Sequence, residues 1–179
     1  QWADGDYDGY GDNAVGFQPD ACTSVAGNST QDRFGCIDSD GDGWSDPGGG
    51  YTVESGADAC DDVLGTSWRD RNGCADEDGD GASDPDPTGA SSSNGSTWDV
   101  TDGADAFLGD DTQWVDTDGD GYGDNPAPAT DPDGCPTQFG DSTADRLGCP
   151  DTDGDTYSDP DSGFTAANGA DAFPNEASQ

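Results

Sequence analysis

Aspartate stands at every second residue in five short stretches, and this register constrains the fold of the chain more than any other feature. The stretches carry Asp4, Asp6, Asp8 and Asp12; Asp38, Asp40, Asp42 and Asp46; Asp76, Asp78, Asp80 and Asp84; Asp116, Asp118, Asp120 and Asp124; and Asp151, Asp153, Asp155 and Asp159. Counted from the first Asp, carboxylates fall at positions 1, 3, 5 and 9 of each loop. Position 6 is glycine in four copies and Thr156 in the fifth. Alternate placement turns the side chains at 1, 3 and 5 toward a common centre. The glycine permits a sharp bend that points the carbonyl of position 7 (Tyr10, Trp44, Ala82, Tyr122 or Tyr157) at the same centre. Convergent hard oxygens are what a calcium ion requires, since it takes about 6–8 of them in a flexible shell. An Asp-Gly-Asp tract can also be a plain solvated turn, but five copies in register weigh against that reading.

The acidity of the rest follows the same pattern. Forty-one acidic side chains face four basic ones, all arginine, for a formal charge of −37. The hydrophobic fraction of 28% lies well under the roughly 45–50% apolar usage of ordinary globular domains, so one central core is not expected. Scattered acids at this density would predict disorder. Registered acids predict order that depends on a cation, with self-repulsion loosening the chain when the cation is withdrawn. Such a charge excludes direct nucleic-acid binding, which needs Lys and Arg on phosphates. No stretch approaches the ~20 apolar residues of a membrane span, so no direct membrane insertion is expected.

Six cysteines fall as Cys22/Cys36, Cys60/Cys74 and Cys135/Cys149, each pair 14 positions apart. The constant spacing favours a local disulfide within each copy over the other connectivities. Zinc is the weaker alternative, because histidine is absent and no close Cys-x-x-Cys pair occurs. Disulfides imply an oxidising, extracellular or cell-surface location.

The loops begin at Asp4, Asp38, Asp76, Asp116 and Asp151, a period of 34 to 40 residues. That period is typical of tandem arrays whose units touch their neighbours. The expected units are residues 1–37, 38–75, 76–112, 113–150 and 151–179. A second landmark follows each loop, a lone aspartate (Asp20, Asp58, Asp105, Asp133, Asp171) two residues before Cys or Phe. A third, containing Asp-Arg and then Gly-Cys, closes the copies that hold Arg33, Arg71 and Arg146. Copies one and four share Gln-Trp before the loop, whereas copies two, three and five carry Tyr51, Trp98 or Phe164 seven positions before the lone Asp. Phe107 and Phe173 each precede by six residues a Gln that opens, or would open, another loop. The chain is therefore expected to be a segment of a longer array.

Little regular secondary structure is expected, since 29 glycines and 11 prolines interrupt every pattern. Short strands are expected at 51–54, 98–101 and 164–166, a single helical turn at each Asp-Ala-Cys or Asp-Ala-Phe, and a flexible surface loop at 89–97. The arginines are expected to make bidentate bridges to an Asp of the following loop, with an external anion as the alternative. The aromatics at position 7, together with Trp2, Trp68, Trp98 and Trp114, are expected to pack against the next repeat rather than form a carbohydrate-stacking row. Asn28 and Asn94 head candidate N-glycosylation sequons.

EF-hands are excluded, because they need a bidentate Glu at position 12 and flanking helices, and position 12 here is Val15, Gly49, Pro87, Ala127 or Ser162. Dockerin-type modules fail for want of the same helices. The Asp-x-Asp-x-Asp-Gly-x-x-Asp pattern followed by Asp-x-Cys resembles the thrombospondin type 3 repeat, and Cys135-Pro136 keeps part of that family's ending. The resemblance covers nearly the whole chain. It implies an irregular, calcium- and disulfide-stabilised tandem-repeat rod with one or two Ca2+ per repeat. By the same resemblance the ligands are positions 1, 3, 5 and 9 plus the lone Asp, and disulfides join neighbouring repeats. The chain departs from the family in placing the lone Asp 8 to 21 positions beyond position 9, a longer spacing than the family's.

Catalysis is not expected. Acid–base chemistry usually uses His or a carboxylate raised by burial, and there is no histidine to activate a Ser or Cys. The expected role is that of a calcium-binding structural segment of an extracellular stalk or fibre. A calcium-dependent adhesion module for glycan or protein is the alternative, and a passive calcium buffer a weaker third. Expected partners are neighbouring repeats, with self-assembly into fibres and glycans as further candidates.

Overall fold

A computed structural model describes residues 3–87 and 97–177. The expected loop at 89–97 and the Asn94 sequon thus lie almost entirely outside the described residues, as does Trp2. Among the described residues regular structure is nearly absent: one 3-10 turn at Val53–Ser55 and three isolated bridges, Gly11 to Pro19, Gly48 to Tyr51 and Gly123 to Pro132. The fold is irregular and disulfide-stabilised. All three expected disulfides are present, Cys22–Cys36, Cys60–Cys74 and Cys135–Cys149.

The backbone divides into two compact units, Gln1–Leu108 and Gly109–Gln179. The first contains the loops starting at Asp4, Asp38 and Asp76, and the second those at Asp116 and Asp151. The break falls four residues before the 112/113 boundary expected from the repeat pattern.

The three expected strands do not form, because local polar groups capture the backbone. Thr52 accepts the Ser55 N–H, and Gly56 at φ 107° ends the 3-10 turn. Asp99 accepts both the N–H and the hydroxyl of Thr101. Thr165 accepts the N–H groups of Asn168 and Ala170. At Thr52 and Thr165 main-chain carbonyls close short turns, and at Asp99 the carboxylate takes the backbone N–H, in each case in place of a ladder. The aromatic that opens each of these segments is held differently. Tyr51 exchanges two backbone bonds with Gly48. Trp98 pairs with Asp86, and Phe164 with Asp161, through one backbone bond and one N–H to the carboxylate.

The expected helical turns reduce to single hydrogen-bonded turns. Val25, Val63, Gln138 and Glu176 each donate to the carbonyl of Cys22, Cys60, Cys135 or Phe173 three residues earlier. The aspartate two residues before that Cys or Phe accepts its N–H, as in Cys22 to Asp20 at 2.6 Å, which fixes the start of the turn.

No large apolar core exists among the described residues. The buried apolar side chains are cysteines and alanines: Cys36, Cys74 and Cys149 with Ala57, Ala59, Ala82, Ala104 and Ala170. Buried beside them are Ser29, Ser67 and Ser142, one per disulfide. Each serine hydroxyl accepts the N–H of the second cysteine and donates to the carbonyl of the arginine between them. Cross-links and polar bonds do here what apolar burial does in ordinary domains.

Candidate metal centre

Each loop is built by its own carboxylates. The position-1 aspartate brackets the turn by accepting N–H groups from positions 4 and 6. Asp116, for example, takes Gly119 at 2.7 Å and Gly121 at 2.9 Å, and the pattern holds at Asp4, Asp38, Asp76 and Asp151. The position-5 aspartate accepts the N–H of position 7 in all five copies. The position-9 aspartate accepts the N–H of position 2 and donates its own N–H to the carbonyl just before position 1. Each carboxylate oxygen has a second lone pair, so these bonds leave ligand capacity over.

Both bracketed positions lie in the left-handed region. Position 4 has φ of 67°, 88°, 85°, 81° and 77°, and position 6 has 99°, 103°, 96°, 95° and 84°. The sequence reading identified the need for glycine at position 6 and missed the same need at position 4. The signal was there in Gly41, Gly79, Gly119 and Gly154; Tyr7 broke it. Tyr7 and Thr156 adopt a conformation that L side chains rarely take.

The result is five triads, Asp4/Asp6/Asp8, Asp38/Asp40/Asp42, Asp76/Asp78/Asp80, Asp116/Asp118/Asp120 and Asp151/Asp153/Asp155. In each, one oxygen from every member lies within 4.8 Å of the others. None of the five position-7 carbonyls accepts a backbone hydrogen bond among the described residues, which leaves Tyr10, Trp44, Ala82, Tyr122 and Tyr157 with free acceptors on the main chain.

The lone aspartate joins its loop despite the long insertions. Asp20, Asp58, Asp105, Asp133 and Asp171 each donate their backbone N–H to the position-8 carbonyl, of Gly11, Ser45, Ser83, Gly123 and Ser158, at 2.9–3.0 Å. Asp20, Asp58, Asp105, Asp133 and Asp171 are all at most 8% exposed. The site of closest convergence is marked by a glycine: a Cβ on Gly148 would come within 2.5 Å of Asp133 Oδ1 and 2.9 Å of Asp120 Oδ2. Gly35 stands likewise against Asp20 and Asp8.

The electrostatics agree with this placement. Burial pushes the Asp58 carboxyl up to about 7, with Asp42 and Asp40 adding repulsion against the N–H bond from Cys60. Burial likewise pushes Asp105 and Asp133 up to about 6, with Asp80 and Asp78, or Asp120 and Asp118, as the charged neighbours. Asp20 is raised too, mainly by burial and then by Asp8 and Asp6. Asp20, Asp58, Asp105 and Asp133 thus face positions 3 and 5 of their own loops.

Buried carboxylate oxygens with no hydrogen-bond partner mark where a cation could be held. They are both oxygens of Asp6 and Asp118 and Oδ2 of Asp40 and Asp78, all at position 3. They are joined by Oδ2 of Asp20, Asp58, Asp133 and Asp171 among the lone aspartates, and by Asp80 Oδ2 at position 5. Burying an ionised carboxylate without a partner is costly, and a cation between these oxygens removes that cost. The donor set is oxygen throughout, which suits a hard ion. In the fifth copy Asp153 Oδ2 instead accepts the N–H of Glu176.

The arginines depart from expectation. Arg33 meets the following loop through Ser45 Oγ and the Asp46 carbonyl. Arg71 and Arg146 do pair with carboxylates, Asp86 at 3.0 Å and Asp161 at 2.6 Å, but through a single oxygen and two residues past position 9. All three guanidinium groups lie over the aromatic of the next copy: Tyr51 at 3.9 Å, Trp98 at 5.2 Å and Phe164 at 4.3 Å. The position-7 ring of Tyr10 packs on Phe34 of its own repeat at 5.7 Å, not on the next one. Tyr157 is half exposed. Trp68 does reach the next loop, its ring lying against Gly81. Asn28 is exposed and donates to Asp38.

Neither the family models nor the curated proteins compared with this chain match it. The site is therefore read from its own geometry.

Proposed function

We propose that the chain is a calcium-binding structural segment of an extracellular stalk or fibre, its irregular fold made rigid by ions in the five aspartate loops. The observation that carries this reading is the set of buried, partnerless carboxylate oxygens at position 3 and on the lone aspartates, recurring in register from copy to copy. Calcium supplies a hard positive centre for these oxygens; the chain supplies preformed loops and, in the first four copies, holds the lone aspartate against positions 3 and 5. The thrombospondin-type-3-like pattern supports the same ion and the same tandem use. Three disulfides suit an oxidising, secreted setting. Among the described residues no helix is long and apolar enough to cross a membrane. Extracellular sites of this class commonly bind at ~10⁻⁴–10⁻³ M, which suits a structural ion that stays bound outside the cell.

Calcium titration of the full chain tests the reading, with heat of binding, near-UV tryptophan signal and small-angle scattering as readouts. Saturable binding that orders and stiffens the chain, reversed by chelation, is the expected result. A chain that stays expanded and binds nothing at ~10 mM calcium, well above the range for such sites, would sink it.

A further inference from the structure

Each disulfide-closed segment touches two consecutive loops. In the segment from Cys135 to Cys149, Gly140 donates its N–H to Asp120 Oδ2 at 3.1 Å, a position-5 oxygen of the loop before it. Its far limb grips the loop after it. Thr143 and Ala144 both donate to the Thr156 carbonyl at 2.9 Å, and Asp145 accepts the N–H and hydroxyl of Ser158 at 2.8 and 2.7 Å. Arg146 completes the grip on Ser158 Oγ and the Asp159 carbonyl.

The other two segments repeat these bonds, except that Arg71 turns to Asp86 and the two cysteine sulfurs where Arg33 and Arg146 take the position-8 serine. Gly27 and Gly65 donate to Asp8 and Asp42 of the preceding loops, while Asp32 and Asp70 accept both donors of Ser45 and Ser83 in the following ones. The third copy has no such segment, because Phe107 replaces its first cysteine. The fourth loop is closed by its own copy instead. Buried Gln113 accepts the Asn125 N–H and donates to the carbonyls of Asn125 and Thr130. It fills the space beside Gly123, where a Cβ would come within 2.1 Å of its amide. The chain changes from gripped loops to a self-closed loop at the point where its two compact units divide.

We propose that the three disulfide-closed segments couple cation loading between consecutive loops, so that the five sites load as two blocks, the Asp4, Asp38 and Asp76 loops together and the Asp116 and Asp151 loops together. This rests on the proposed calcium binding and specifies its regulation. The physical reason is that an ion drawing on a position-5 carboxylate orders the segment bonded to that carboxylate. The segment's other limb then sets positions 6 and 8 of the next loop, so the next ion meets a site already ordered.

The test is a calcium titration of the 15N-labelled full chain by NMR, in which the position-6 amides of Gly43, Gly81, Gly121 and Thr156 report their own loops. Asp118→Asn weakens the fourth loop. It is expected to raise the calcium midpoint of Thr156 about fivefold or more, the lower end of common coupling strengths, while Gly43 moves less than about twofold. Asp153→Asn in the fifth loop must shift Gly121 by a matching factor, since coupling is reciprocal, and this second variant covers a failure of the first to fold. Ser158→Ala, which cuts the side-chain grip outside the donor set, must shrink both effects. Thr156 unmoved by Asp118→Asn and Gly121 unmoved by Asp153→Asn would overturn the coupling even with calcium bound. So would a Gly43 shift as large as that of Thr156. If calcium moves no loop amide in the unsubstituted chain, the functional reading fails first and the coupling with it.

Discussion

Replacing Arg71 by methionine removes the most enclosed cation in the chain. The Arg71 and Asp86 side chains are each 9% exposed, and both terminal nitrogens of Arg71 donate to Asp86 Oδ1 at 3.0 and 3.1 Å. The same guanidinium donates to Cys74 Sγ and Cys60 Sγ and lies 5.2 Å from the Trp98 ring centre. Stripping one partner from a buried pair commonly costs about 3–5 kcal/mol, most of it from the charge left behind. Asp86 keeps one bond, from the Trp98 N–H to Oδ2 at 2.9 Å, which argues for the lower end. Loss of the ring contact adds ~0.5–1 kcal/mol. Arg71→Met should therefore lose about 3 kcal/mol. Arg71→Met with Asp86→Asn should recover a good part of that, because the double variant leaves no buried charge. Arg146→Met should lose less, since its partner Asp161 is 49% exposed. Urea unfolding of the full chain at saturating calcium, followed by tryptophan fluorescence, measures all three. An Arg71→Met chain no less stable than Arg146→Met, or a double variant no better than the single, would refute the reasoning.

Other outcomes follow from the same geometry. In the calcium-free chain Asp58 holds its proton up to about 7 against an ordinary 3.8. The folded form therefore binds protons that the unfolded form has released, and its stability must rise as pH falls from ~7 toward ~4. Calcium must reverse that trend, its affinity dropping over the same interval, and pH-resolved unfolding with and without the ion reads both. Asp161 shows the opposite sign. Its hydrogen bond from Arg146 holds its pKa down at about 2, so the stabilisation it gives is present above ~4 and is lost as pH falls through about 2. Thr156→Gly relieves a φ of 84° at position 6 and should strengthen the fifth loop by ~1 kcal/mol, about fivefold in calcium affinity, as read from the position-156 amide in an NMR calcium titration. Gly65→Ala drives a Cβ to 2.1 Å from the Cys74 carbonyl and should cost at least ~1–3 kcal/mol. Gly109→Ala, with open space around it, should change the unfolding midpoint little.

The loop ligands and the disulfides were legible because each rests on short-range spacing repeated several times. Positions 1, 3, 5 and 9 need only a nine-residue window to be recognised, and the cysteines only their constant separation of 14. What escaped were bonds between segments. Asp32 and Ser45 lie 13 residues apart, in landmarks that look unrelated until the fold joins them. The same holds for Asp70 with Ser83 and Asp145 with Ser158. A signal was present all the same. Position 8 is serine in the second, third and fifth loops and glycine in the first and fourth, which matches the two kinds of copy seen from Gln-Trp and from Tyr51, Trp98 and Phe164. The aromatics are legible as a landmark, but charge points the preceding arginines only to carboxylates and gives no sign that all three guanidinium groups also cover those rings. The strands failed for a different reason. Residues such as Tyr51 and Val53 favour strands, yet among the described residues no neighbouring strand pairs with them, and short main-chain turns and aspartate carboxylates take the backbone first.

The insertions show how such a chain varies without losing its sites. Between position 9 and the lone aspartate the separation runs from 8 to 21 residues, yet the backbone bond from that aspartate to the position-8 carbonyl stays within 2.9–3.0 Å in all five copies. The closing bond is made by main chain at both ends, so it does not depend on which residues fill the excursion. Lengthening an irregular surface loop costs little, since closure entropy grows only with the logarithm of length. Where the insertion carries an aromatic, the excursion is pinned a second time, to the residue two places past position 9, as in Asp86 to Trp98 and Asp161 to Phe164. The same pinned ring covers the arginine of the copy before. The stretch enclosed by the second pin (49–50, 87–97 and 162–163) is what differs in length between copies, whereas the aromatic stays seven positions before the lone aspartate; that enclosed stretch, not the loops themselves, is where this architecture can acquire new surface chemistry while its carboxylate geometry stays fixed.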